Sequence, residues 1–191
     1  MNDSKVWLVL GAEDGLGAAA IKYLIAKKQT AIALIVNEAP CIRLLKEDSE
    51  NLHVINIRHF SRMELNIIVT NLLTQHGSIN TIINNLNYRL FNQLPSGHTA
   101  YLQSEIENCI SNTIEIIKVF LPLACTEPLV HLINVPPQLC LATLPDTSDA
   151  ETLSQRMDLF LERMQTALSK LHCRLDFLQP GARLSELSDT Q

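Results

Sequence analysis

The chain has 191 residues, of which 47% are hydrophobic and 18% charged, and its formal net charge is −5. This apolar content supports one packed domain over residues 1–191, with a polar tail from about residue 186, and excludes a disordered chain. The acidic balance and the lack of a basic run leave no electrostatic footprint for nucleic acid or an anionic membrane.

No apolar stretch reaches the ~18 residues that span a bilayer. The opening Met-Asn-Asp-Ser-Lys runs into a strand without the pattern of a secretory leader, so a cytoplasmic location is expected. The five cysteines are widely spaced, form no Cys-x-x-Cys pair and do not cluster with histidines. They read as packed thiols, and no metal site is expected.

Strand-like and helix-like segments alternate along the chain, which predicts an α/β doubly wound parallel sheet with helices on both faces. Val6–Leu10 is the first strand and Gly11–Gly17 the turn after it. A helix follows from about Leu16 to Lys28, with Ala18, Ala19, Ile21, Leu24 and Ile25 on its apolar side. Ala31–Val36 is a continuous apolar run, as expected of a parallel strand buried on both faces. A short helix over Cys41–Lys46 and a strand over His53–Ile57 come next. Ser61 can cap a helix running to about Gln75, with Gly77 ending it.

Thr81–Asn84 is the fourth strand, followed by a looser segment with Pro95, Ser96 and Gly97. Tyr101 to about Leu123 is a long helix, and Leu129–Val135 a strand stopped by Pro136 and Pro137. Ser148 or Asp149 can cap the last long helix, to about Leu171, and Arg174–Leu178 is the sixth strand.

The stretch Gly11-Ala12-Glu13-Asp14-Gly15-Leu16-Gly17 lies between a strand and a helix. In that position glycines permit a tight turn and close packing of helix on strand, and the helix N-terminus offers free N–H groups to a phosphate. The plainer reading is a turn kept for its architecture. Glu13 and Asp14 favour that reading, because two carboxylates beside a phosphate repel it, and the extra phosphate of NADP most of all.

The spacing Gly-x-x-x-Gly-x-Gly resembles that of the short-chain dehydrogenases/reductases. Further matches run from Lys5 to about Ser185. Gly77 precedes Ile79-Asn80-Thr81-Ile82-Ile83-Asn84-Asn85, similar to the family's segment around its fourth strand. Leu121-Pro122 resembles the end of its long helix, and Pro180-Gly181 its motif beyond the sixth strand. The resemblance implies strand order 3-2-1-4-5-6 and NAD as cofactor, with NADP disfavoured. It places cofactor contacts at Gly11, Glu13, Asp14, Gly15, Leu16, Gly17, Asn37, Arg58, Asn85 and Leu86. It also implies a homodimer or homotetramer through the two long helices, and the low charge content fits a partly covered surface.

The family's catalytic Asn, Ser, Tyr and Lys are not matched. Anchoring on Leu121-Pro122 puts Cys109 at the Asn position, and Pro136 and Pro137 stand where the Ser is expected. Counting back from Pro180-Gly181 puts Leu153 and Met157 near the Tyr and Lys positions. No tyrosine occurs after Tyr101, and no lysine between Lys118 and Lys170. Tyr23 and Lys27 have the Tyr-x-x-x-Lys spacing but read as an ordinary helical pair.

Cofactor positions depart too. Leu86 and Asn87 replace two small residues, Arg58 an adenine-contacting Asp, and Asn37 the carboxylate that binds the NAD ribose. The chain closes soon after Pro180-Gly181, so the family's substrate-covering lobe and seventh strand are not expected.

Three functional readings result, and catalytic residues are assigned in none of them. The first is a scaffold without the Ser/Tyr/Lys chemistry that acts in binding, regulation or assembly, with weak NAD(H) binding. The second is an NAD(P)-dependent oxidoreductase using non-standard residues, with Asn84, Asn108 or a histidine at the nicotinamide. The third is a dimeric scaffold that binds no nucleotide.

Overall fold

The computed structural model describes residues 5–13, 15–35, 40–47, 49–57, 61–86, 99–121, 131–135, 147–171 and 173–177. In chain order the elements are β1 Val6–Leu10, α1 Gly15–Ala26, β2 Thr30–Ile35, α2 Pro40–Glu47, β3 Leu52–Asn56 and α3 Arg62–His76. Then follow β4 Thr81–Asn84, α4 Thr99–Phe120, β5 His131–Asn134, α5 Thr147–Leu168 and β6 Arg174–Phe177. The six strands form one sheet in the order β3-β2-β1-β4-β5-β6, and every pairing is parallel. Both the doubly wound architecture and the expected strand order are observed.

Side chains alternate across each strand, so β1 feeds two cores. Leu8 and Leu10 join Ile32, Leu34, Ile82 and Leu132 beneath α3, α4 and α5. Trp7 and Val9 join Ala31, Ala33, Ile83 and Ile133 beneath α1 and α2, where Ile21, Leu24 and Ile42 close the layer. With both faces covered, β1 and β2 have no polar side to show, and their apolar runs follow from that.

Over the described residues, the apolar faces of α4 and α5 are spent on the sheet. Ile110, Ile117 and Phe120 of α4 and Phe160, Met164 and Leu168 of α5 belong to one buried cluster. Among the described residues, their exposed side chains include Glu107, Asn108, Ser111, Asn112, Glu115 and Lys118 on α4, and Asp158, Glu162, Gln165 and Thr166 on α5. Arg163 and Glu107 form an ion pair between the two helices.

Element boundaries differ from the sequence reading by up to three residues: α5 ends at Leu168 rather than about Leu171, and it begins at Thr147, so Ser148 and Asp149 lie inside it instead of capping it. Thr30 joins β2 because it pairs with Val6, and Leu52 joins β3 because it pairs with Ala31. The Ser61 cap is present, its Oγ accepting from the Glu64 N–H at 3.2 Å. Gly77 ends α3 at φ 72°, its N–H donating to the Leu73 carbonyl.

α1 stops at Ala26, two residues before its expected end. Lys28 adopts φ 58°, and the N–H groups of Lys28 and Gln29 return to the carbonyls of Ile25 and Leu24. This is a left-handed helix stop built without glycine, and a side chain there costs about 1 kcal/mol. Lys28→Gly is expected to raise unfolding stability by about 0.5–1 kcal/mol, measured by urea denaturation.

Candidate functional site

In a sheet of this order the connections leave β1 and β4 in opposite directions. The crevice at the C-terminal ends of those two strands is where ligands of such folds bind. The glycine turn and the residues after β4 meet at that crevice.

Gly11 follows β1 directly, with φ 72°. Its N–H and that of Ala12 both donate to the Leu34 carbonyl, at 3.0 and 3.2 Å, which ties the turn to β2. On the other side Asn85 ties the turn to β4. The Asn85 N–H donates to the Leu10 carbonyl at 3.0 Å, and its buried side-chain Nδ2 donates to the Gly11 carbonyl at 2.8 Å.

These contacts account for Gly11 and Gly17. A Cβ on Gly11 would lie 3.1 Å from the Asn85 carbonyl. A Cβ on Gly17 would lie 2.3 Å from the Gly11 oxygen and 2.7 Å from Asn85 Nδ2. Both glycines are therefore required by the chain's own packing, whether or not a ligand binds.

The other expected contacts divide. Leu16 is half-buried and packs against the α1–α2 core, while Leu86 is buried beneath the opposite layer. Glu13 is half-buried within the turn. Gly15 is the first residue of α1. Asp14, Asn37 and Arg58 lie outside the described residues.

A buried polar pair braces the floor of the crevice. Asn84 Nδ2 donates to Asn134 Oδ1 at 2.7 Å, and Asn84 Oδ1 accepts from the Leu86 N–H at 3.3 Å. The Val135 N–H donates to the Asn84 carbonyl at 2.9 Å. Both side chains are fully buried, so the β4 and β5 ends are locked together. Sequence reasoning flagged Asn84 but not its partner. The available signal was an Asn ending each of two strands that turn out to be neighbours.

The described histidines are not at this crevice. His131 opens β5, His53 is the second residue of β3, and His76 ends α3, all toward the opposite rim of the sheet. His131 Nε2 lies 2.6 Å from Asp176 Oδ2. Burial holds His131 below the ordinary histidine value, against the opposing pull of that carboxylate. Asn108 is exposed on α4. Lys27 Nζ lies 5.7 Å from the Tyr23 ring centre, a contact between helical neighbours. Among the described residues, no group of three or more His, Cys, Asp or Glu could hold a metal ion, and no helix is long and apolar enough to cross a membrane.

The sheet order, the glycine turn and the β4 end define a doubly wound nucleotide-binding-type fold. Its likeness to solved structures is specific. A short-chain dehydrogenase from Streptomyces avermitilis superposes with TM-score 0.57 at 16% identity, over 95% of this chain and 67% of that one. Aldohexose dehydrogenase from Thermoplasma acidophilum gives 0.59 at 14% identity, over 90% and 63%. A short-chain dehydrogenase/reductase family protein from Aeromonas hydrophila gives 0.65 at 16%, over 92% and 81%. The chain thus shares the Rossmann-type fold of these proteins, which are themselves dehydrogenases and reductases. It spans about two thirds of the length of the first two. No family model matches the sequence, and no curated protein matches it.

Two substitutions separate packing from backbone conformation. Gly17→Ala must displace the Gly11 carbonyl and is expected to cost about 2–3 kcal/mol. Gly77→Ala has open space around its Cβ and only the positive φ to oppose it, so about 1 kcal/mol is expected. Denaturant melts of the two variants check the ranking.

Proposed function

We propose that this chain is a binding, regulatory or assembly protein built on a dehydrogenase-type scaffold, with weak NAD(H) binding and no hydride-transfer chemistry. The observation that carries the reading is the missing chemistry around an otherwise well-formed turn. The chain has no tyrosine after Tyr101, no lysine between Lys118 and Lys170, and Pro136-Pro137 directly beyond β5. A general acid of this type needs a titratable hydroxyl near a cation that lowers its pKa, and neither occurs at the matching positions.

The fit of a dinucleotide is partial. The backbone at the start of α1, from Gly15 to Gly17, offers N–H groups and the positive end of a helix to a phosphate. Asn85 and Leu86 lie beside that turn. NAD would bring a hydride-accepting ring and a diphosphate. The half-buried Glu13 sets a negative charge against the diphosphate, and this supports weak binding with NADP weaker still. The positions of the described histidines give no support to the alternative of an oxidoreductase with a histidine at the nicotinamide.

The proposed assembly is a homodimer or homotetramer through the outward faces of α4 and α5. Because those faces are polar over the described residues, the contact is expected to be weak and salt-sensitive. Sedimentation showing only monomer at tens of micromolar (about the range where a modest interface holds) in low salt would remove this part of the reading.

Titration with NADH by fluorescence quenching is the direct test. Saturable binding without turnover across alcohols, aldehydes and ketones is the expected result. Glu13→Gln is expected to tighten NADH about three- to fivefold, the effect of removing one partly exposed like charge. Measurable hydride transfer would overturn the non-catalytic assignment. No binding at millimolar nucleotide would leave a scaffold without a nucleotide.

A further inference from the structure

The outer edge of the sheet carries a pair of histidines that the crevice does not use. His53 lies on edge strand β3, in register with Ile32 and Leu8, and so on the face covered by α3. The buried stripe of α3 runs Leu65, Ile68, Val69, Leu72. His76 takes the next position on that stripe, one turn beyond Leu72. Their ring centres are 4.6 Å apart with planes at 66°, an edge-to-face contact. His76 Nε2 is buried and has no hydrogen-bond partner among the described residues.

We propose that His53 and His76 form an acid-sensitive latch, which holds the last turn of α3 on edge strand β3 while both rings are neutral and releases it when one is protonated.

The neutral rings suit the contact: an imidazole edge packs on an imidazole face, and neither needs a counter-charge. A proton on either ring changes this. The cation then faces another imidazole rather than a carboxylate, and one nitrogen stays buried without an acceptor. Among the described residues, the surrounding charges do not compensate. On α3 they are Arg62 and Glu64, at the far end of the helix. On α4, Glu115 pairs with Lys118 and feels Arg62, at that same far end. β2 carries no charged residue, and β3 none besides His53. Glu50 is exposed to solvent in the turn before β3, where its charge is screened. Burial first, and His53 second, hold His76 below the ordinary histidine value. His131 differs in kind, because its ring has Asp176 to share a proton with.

The sign follows from linkage. A histidine whose value is lowered in the closed form takes up its proton more readily in the open form. The latch is therefore fully closed above the ordinary histidine value and opens as pH falls through and below it.

Hydrogen exchange on the whole chain, corrected for the intrinsic rate, tests this between about pH 7.5 and 5. Protection of residues 52–56 and 72–77 is expected to fall with acid, by up to about tenfold per pH unit for one linked proton. His76→Leu is expected to abolish this response, and His131→Asn to leave it intact. An unchanged response in His76→Leu, its loss in His131→Asn, or pH-independent protection in the unaltered chain would each overturn the latch. Should His76→Leu fail to fold, histidine NMR titration of the unaltered chain decides. His76 titrating below the ordinary value supports the proposal, and titration at or above it overturns it.

Discussion

The hydrogen bond from Asn85 Nδ2 to the Gly11 carbonyl fixes the crevice on which the rest of the site depends. It joins the turn after β1 to the end of β4, and it sets where α1 can begin. Gly17 must be small because Gly11 and Asn85 already occupy the space a Cβ would need. The Leu34 carbonyl anchors the same turn from β2. The turn thus rests on both neighbours of β1, and its shape needs no ligand to explain it.

That independence separates fold from chemistry. Packing demands keep the glycines, while the groups that would perform hydride transfer sit on other elements with no such demand on them. The structural neighbours share the fold at 14–16% identity, which leaves activity open. The residues that shape the crevice therefore do not by themselves carry reactivity.

Most of the architecture was legible in the sequence, for physical reasons. Strands covered on both faces read as continuous apolar runs, and Ser61 and Gly77 punctuate α3 by local rules. The end of α1 was misread because Lys28 fills a position where glycine is the usual signal. The candidate site was legible only in part. Gly11 to Gly17 could be read because the pattern is contiguous. The Asn84–Asn134 pair spans 50 residues, and the His53–His76 contact joins a strand to the far end of the following helix. Such neighbours are set by sheet register and helix phase rather than by any local pattern. The destination of the α4 and α5 apolar faces was hidden for the same reason, since an amphipathic stripe does not say what covers it.

The reach of the Asn85 bond, 74 residues along the chain, bears on what the glycine stretch can be used for. All three glycines of that stretch lie within seven consecutive residues. The amide that packs against Gly11 and Gly17 arrives only with β4. A fragment ending before Thr81 would carry the complete motif yet lack the group that holds its turn in place. The stretch is therefore not a transplantable module, and grafting it onto another strand and helix would move the letters without the geometry.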